Sequence, residues 1–321
     1  MKHSVFFYAI LFFLVLTVNF FLPRMIPGSP IANIAGENVG ELTETERENL
    51  LAAYNLDKPL HVQFKDYIVG FFTFDWGISY IRHQPIISLI AAALPWTLLL
   101  SLSNLFISTI LGCFLGYRSA FKRQNRKDLK YMLGVSAISS LPLFWVGMTF
   151  VAIFSVTLKL FPLNNAYSLW ADYTGIQWLL DVLWHLALPV MTLVTSTMIS
   201  FFVNMRYGVL TVINEDYIMM AQLRGLSKKR IRYTYILRNA IIPVFTVFML
   251  EFGYILGGSV VIESIFSYPG IGKLMYDAVI TRDYPLVQYS FVMVSFMVIV
   301  ANFLADFLYS KIDVRMEKVH E

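Results

Sequence analysis

A charged loop between two apolar stretches carries the residues whose types and spacing point most directly to a function. Asn214, followed by the acids Glu215 and Asp216, predicts the start of a helix, because a side-chain oxygen caps free N–H groups and the helix dipole favours acids. Gly225 predicts a left-handed turn that ends this helix, and Ser227 predicts the cap of the next one. The helix between them carries a mostly apolar face at helical spacing: Tyr217, Met220, Ala221 and Leu223.

An apolar face in a charged, water-exposed loop has two interpretations. It can dock into a groove on a partner protein, or it can lie on the membrane surface with the basic residues that follow as its rim. We favour docking, which makes the loop a contact point for another subunit.

A lone acidic residue, Glu251, interrupts a long apolar stretch. A charge at the centre of a bilayer costs at least ~2.5 kcal/mol, so this side chain should face protein or water. Gly253 and Gly257, followed by Gly258, form a small-residue spacing that lets another helix approach closely. Glu251 is either a structural hydrogen-bonded carboxylate or, with Gly257 and Gly258, part of a path across the membrane.

The sequence lacks the motifs that several classes of enzyme require. It contains no phosphate-cradling Gly-x-x-x-x-Gly-Lys-Ser/Thr run, so it cannot build an ATP site alone. It also lacks His-Glu-x-x-His and Gly-x-Ser-x-Gly, which argues against an intramembrane enzyme. The five histidines are scattered, so their spacing predicts no metal site.

The composition predicts an all-α polytopic membrane protein. Of 321 residues, 57% are hydrophobic and 14% are charged, where a soluble domain has about 45–50% and about 25%. Mean hydropathy is +0.63. About 20 apolar residues span a bilayer as a helix, and six stretches qualify. They are Ser4–Leu22, Gln84–Tyr117 with an amphipathic approach before Leu94, Tyr131–Leu158, Val182–Met205, Asn239–Ile262 and Tyr284–Ala305.

The distribution of basic residues predicts the orientation. Seventeen of the 25 Lys and Arg residues fall at the termini and in the loops 118–130 and 206–238, which places these parts and both termini in the cytoplasm. The basic residues behind the net charge of +4 are therefore concentrated in particular loops, and this charge does not indicate nucleic-acid binding. We divide the chain into a first membrane helix (1–26), an external segment with short amphipathic helices (27–90), a five-helix core (91–310) and a cytoplasmic tail (311–321).

The charged loop resembles the EAA loop of bacterial ABC-importer permeases, in which a small residue precedes a loop glycine by four positions. Ala221 and Gly225 match that spacing, and Gly225-Leu226-Ser227 resembles the oligopeptide/dipeptide/nickel branch in particular. The chain departs from the signature at Met219 and Met220, where Glu and Ala are usual, and at Arg238, where the wider superfamily has proline.

Motifs elsewhere extend the resemblance over nearly the whole chain, in order. They are Pro23–Pro30, Leu56–Leu60, Asp75-Trp76-Gly77-Ile78-Ser79, Tyr268-Pro269-Gly270-Ile271-Gly272 and Arg282-Asp283-Tyr284-Pro285. The resemblance implies a permease with six transmembrane helices, the type I ABC-importer fold and a place in a bacterial or archaeal cytoplasmic membrane.

The resemblance also implies partners. These are a second homologous permease, two ATP-binding subunits that hold ATP and Mg, and an external solute-binding protein, while this chain needs no cofactor. The ATPase would grip the helix from Asn214 to Leu226, in a coupling loop that also includes Ser227. The binding protein would dock through Asp75, Trp76, Tyr268, Pro269, Arg282 and Asp283. Short peptides are the expected cargo, with oligosaccharides or nickel and other metal chelates as alternatives, and a secondary transporter is the remote alternative.

Overall fold

All the long elements in the computed structural model are helices. The model describes residues 2–25, 43–45, 48, 57–123, 126–255 and 259–312. The helices are α1 (Lys2–Met25), α2 (Leu60–Thr73), α3 (Ile86–Ala120), α4 (Arg126–Ser139), α5 (Leu143–Phe150), α6 (Ile176–Ile213), α7 (Asp216–Leu223), α8 (Lys228–Arg230), α9 (Arg238–Ile255), α10 (Val260–Ile265), α11 (Ile271–Ile280) and α12 (Tyr284–Ile312). The π-helical stretches Val151–Thr157 and Ile231–Leu237 extend α5 and join α8 to α9.

Within the described residues, four helices are long and apolar enough to cross a membrane, or five if a bent pair counts as one span. The four are Ile86–Ala120, Ile176–Ile213, Lys228–Tyr254 and Tyr284–Phe307. In the bent pair, Asp128–Ser139 and Leu143–Thr157 meet at 91°. The apolar part of α1, Phe6–Phe21, is shorter than these. The chain is thus an all-helical, multi-pass membrane protein, while the number six and the side of the termini stay predictions.

Three predicted boundaries were wrong. The amphipathic approach before Leu94 is not separate, since α3 runs without a break through Pro95. The fourth apolar stretch does not end at Met205, because α6 continues to Ile213 and takes eight residues from the predicted loop. The fifth stretch does not reach Ile262 as one helix, since α9 ends at Ile255 and α10 is separate.

The two longest helices, α3 and α6, pack against each other through glycines. A Cβ added at Gly112 would lie 2.7 Å from the carbonyl oxygen of Met198, and one at Gly116 would lie 2.5 Å from that of Phe202. Only a residue without a side chain allows this approach. The small-residue spacing in α3 therefore serves as a helix contact, as membrane helices use it.

A second contact, formed by aromatic side chains, joins α2 and the loop after it to the long helices. The Trp76 indole lies parallel to the rings of Phe71 and Tyr289, with centroids 6.0 and 5.4 Å apart. Phe20 of α1 and Ile86 of α3 belong to the same buried cluster. The loop after α2 is thus fixed to three helices rather than projecting freely.

Candidate functional site

The helix α7, in the loop singled out by the sequence, begins at Asp216, with Glu215 in extended conformation before it. Asn214 was wrongly assigned as its cap. Asn214 ends α6 instead, donating to the carbonyl oxygen of Leu210 over 3.0 Å and accepting from Arg123 over 3.4 Å. The reason is that α6 extends further than predicted, so that Asn214 lies at its C-terminal end.

One side of α7 is anchored inside this chain. Ile218 and Ala221 are buried in one apolar cluster with Val212 of α6, Ala120 of α3, and Ile231 of the π-helical stretch Ile231–Leu237. The sequence interpretation placed Ala221 on an outward-facing surface. That placement was wrong, because the side chain is buried. It faces the interior of the protein, on the side where α7 lies against the stretch Ile231–Leu237.

The other side of α7 is apolar and exposed. Leu223 keeps 73% of its surface accessible, and the remaining members of this side are Tyr217, Met219 and Met220. The Tyr217 hydroxyl accepts a hydrogen bond from the amide of Asn239 over 3.1 Å, which ties its tip to α9. Large apolar side chains held rigidly in a charged loop are typical of a protein contact.

The turn after α7 confirms the sequence prediction. Gly225 has a positive φ of 72°, a conformation that favours glycine. Its N–H donates to the carbonyl oxygen of Gln222 over 2.9 Å, and the Leu226 N–H donates to that of Ala221 over 3.3 Å. Ser227 then caps α8 by accepting from the Arg230 N–H over 3.4 Å. The turn thus fixes the direction in which the chain leaves α7.

The proposed path residues are only partly visible. Glu251 lies in α9 and is half-buried. Among the residues that the structure describes, none forms a hydrogen bond or ion pair with its carboxylate. Gly257 and Gly258 lie outside the described residues. Gly253 contacts the Asn302 side chain of α12, so the small-residue position serves a helix contact within this chain.

The six residues expected at the external docking surface divide into two groups. Trp76, Tyr268 and Asp283 are buried, so their side chains do not reach an outside partner. Asp283 accepts from the Ser79 hydroxyl and from the Tyr80 N–H over 3.2 Å, which holds the loop before α3 on the start of α12. Asp75 and Arg282 are exposed, and Pro269 is half-exposed.

Sequence reasoning missed a buried carboxylate, Glu263 of α10. It accepts from the Thr97 hydroxyl of α3 over 3.1 Å and from the Lys273 N–H over 3.0 Å. The Thr97 oxygen in turn accepts from the Ile271 N–H over 2.8 Å. Burial raises the pKa of the Glu263 carboxyl, while these hydrogen bonds oppose the rise. The spacing of residues around Glu263 in the sequence did not predict this role. The carboxylate joins three helices on the predicted external side.

The described part of the chain offers no cluster of three or more His, Cys, Asp or Glu side chains that could hold a metal ion.

Comparison with known proteins covers most of the chain. Residues 108–318 match the family described as the binding-protein-dependent transport system inner membrane component. The chain is 35% identical to the di/tripeptide transport system permease protein DppB of Pseudomonas aeruginosa, over 93% of this chain and 92% of that protein. It is 32% identical to the oligopeptide transport system permease protein AppB of Bacillus subtilis, over 94% and 93%.

A further relative, the glutathione transport system permease protein GsiC of Escherichia coli strain K12, is 35% identical over 94% of this chain and 93% of that protein. These matches confirm the resemblance carried by the loop around Gly225. The chain therefore belongs to the family of inner-membrane components of binding-protein-dependent transport systems.

Proposed function

We propose that this chain is the permease subunit of an ATP-driven ABC importer that receives short peptides from an external solute-binding protein and passes them into the cytoplasm. The relatives are named for di/tripeptides, oligopeptides and glutathione, all of which are short peptides. In this proposal the chain crosses the membrane six times, has both termini in the cytoplasm and pairs with a second homologous permease.

The observation that carries the proposal is the two-sided construction of α7. Ile218 and Ala221 hold the helix to the apolar cluster inside this chain, while Met220 and Leu223 face outward with large apolar surfaces. A helix that was only a loop element would not expose such side chains on a rigid base. Each of the two ATP-binding subunits would seat one such helix, from this permease or from its partner, and would supply the ATP and Mg chemistry.

On the external side, the binding protein would touch the exposed Asp75, Arg282 and Pro269. The buried Trp76, Tyr268 and Asp283 would hold those loops in place. Glu251 would line the path between the two permeases, where a partner residue or the peptide ammonium group would neutralise its charge.

The test is reconstitution of the complete transporter, with both permeases, both ATPases and the binding protein, in proteoliposomes. We expect uptake of labelled di- and tripeptides that requires MgATP and the binding protein. Oligosaccharides and nickel chelates at the same concentrations serve as substrate controls. Uptake driven by an ion gradient without the ATPases, or uptake of a control substrate alone, would contradict the proposal.

A further inference from the structure

The cytoplasmic end of the bent span is held by a carboxylate–guanidinium contact. Arg206 of α6 donates from Nη2 to Oδ2 of Asp128 over 2.8 Å and from Nε to Oδ1 over 3.3 Å. The Ser119 hydroxyl of α3 donates to Asp128 Oδ1 over 2.5 Å and accepts from Arg206 Nε over 3.2 Å. One carboxylate thus joins three helices, and we call Ser119, Asp128 and Arg206 the inner clasp.

The inner clasp is shielded from water, unlike an ordinary surface ion pair. The Asp128 side chain is 11% exposed and the Arg206 side chain 22%. The two-point geometry between guanidinium and carboxylate fixes orientation as well as distance. Removal of one partner would leave the other charge partly desolvated, so such a contact resists breakage more than an exposed pair does.

The helix α4 depends on this contact. Among its side chains that the structure describes, only Asp128 and Val135 are buried. The two are seven positions apart and therefore lie on one face of the helix. Several other apolar residues of the helix, such as Leu129 and Leu133, are exposed. The inner clasp thus fixes the first half of the bent span to α3 and α6 through one of its two buried side chains.

The same clasp lies on the helix that leads to α7. From Arg206, α6 runs without interruption to Ile213, two residues before α7 begins at Asp216, and its Val209 and Val212 belong to the same apolar cluster as Ile218 and Ala221. A displacement of α7 is therefore passed to α6 through the connecting residues and the shared apolar cluster, and the inner clasp is the charged contact that ties α6 to α4.

We infer that Asp128 and Arg206 are positioning residues for energy coupling, which make the bent third span move together with the ATPase-docking helix. This inference rests on the proposed function. Neither residue touches substrate or nucleotide in it; they act by tying α4 to α6. Without the inner clasp, the ATPase would still bind and hydrolyse ATP, but the bent span would no longer move together with α7.

The test uses the complete reconstituted transporter and measures peptide imported per ATP hydrolysed. For Arg206→Gln and for Asp128→Asn we expect this ratio to fall roughly tenfold, while ATP hydrolysis itself changes less than about threefold. The double variant should be no worse than either single variant, because both remove the same contact. Asp66→Asn is the matched control, since Lys58 and Asp66 form an exposed ion pair at 3.1 Å in the external segment.

A ratio within about twofold of wild type in both single variants would overturn the inference, as would a double variant whose loss equals the product of the two single losses. A parallel fall of import and hydrolysis would show a role in assembly only, and would also overturn it. Failure of the wild-type complex to import peptide would instead refute the proposed function, so the two failures are distinguishable.

A second measurement covers variants that assemble poorly. Spin labels at Leu133→Cys on α4 and Leu304→Cys on α12, in a Cys113→Ser background, report the distance between these helices. We expect a non-hydrolysable ATP analogue to change that distance in the otherwise wild-type complex. In the Arg206→Lys complex the change should be less than about half as large, because lysine keeps the positive charge but lacks the two-point guanidinium contact. An equal change in both complexes would contradict the inference.

Discussion

Truncation of Leu223 to alanine tests whether the exposed side of α7 is the ATPase contact. The side chain is 73% accessible in the isolated chain, so its removal should leave the permease fold intact. In the assembled transporter the same surface would be buried in the partner's groove. Leu223→Ala should therefore weaken subunit association without lowering the thermal stability of the permease alone.

The size of the effect follows from the area available. The substitution removes three carbon atoms worth about 0.8 kcal/mol each on full burial, and about three-quarters of that burial remains to be gained on docking. The expected loss is about 1.7 kcal/mol, which corresponds to a roughly 20-fold rise in the Kd of the ATPase subunit.

The assay is a titration of the purified ATPase subunit against the permease pair in nanodiscs, read by light interference or by fluorescence. Leu60→Ala is the matched control, because Leu60 is a 57% exposed leucine on α2 in the external segment. A Kd for Leu223→Ala within about twofold of wild type, or an equal rise with the control, would refute the assignment of α7 as the contact.

Three further substitutions test the packing that supports the site. Ala221→Leu should place a side chain too large for the buried space beneath α7. We expect it to destabilise the packing of α7 by about 1–3 kcal/mol, measured as faster limited proteolysis of the loop. Gly116→Ala should lower the melting temperature in nanodiscs, because its Cβ would lie 2.5 Å from a carbonyl oxygen of α6, whereas Gly134→Ala, with nothing within 4 Å, should not. Thr97→Val should cost about 1–3 kcal/mol, measured as a lower melting temperature, because the first N–H of α11 loses its acceptor and Glu263 loses a donor.

Local signals in the sequence were enough to predict where most helices lie and how the loop turns. Gly225 and Ser227 act on their own backbone and on residues three or four positions away, so their roles follow from residue type alone. The apolar stretches likewise identify helices through length and composition. These features need no knowledge of what packs against them.

The side that each residue faces could not be predicted in this way. Ala221 and Leu223 are two positions apart in one apolar pattern, yet Ala221 is buried and Leu223 exposed, because only Ala221 faces the apolar cluster formed by distant parts of the chain. The same holds for Trp76 and Asp283, whose partners lie far along the chain. The inner clasp joins residues 78 positions apart, and no spacing rule connects them.

The lengths of α3 and α6 determine where the molecule can bend. At 1.5 Å per residue, helices of 35 and 38 residues are about 53 and 57 Å long, so each is longer than the roughly 30 Å apolar core of a bilayer. Each contains one proline, Pro95 and Pro189, where a backbone hydrogen bond is missing and a helix bends most easily. Both prolines lie on the predicted external side of the glycine contact at Gly112 and Gly116. A push at α7 should therefore move the cytoplasmic halves of both helices as one body, and the bending needed to open or close an external mouth should be concentrated near the prolines.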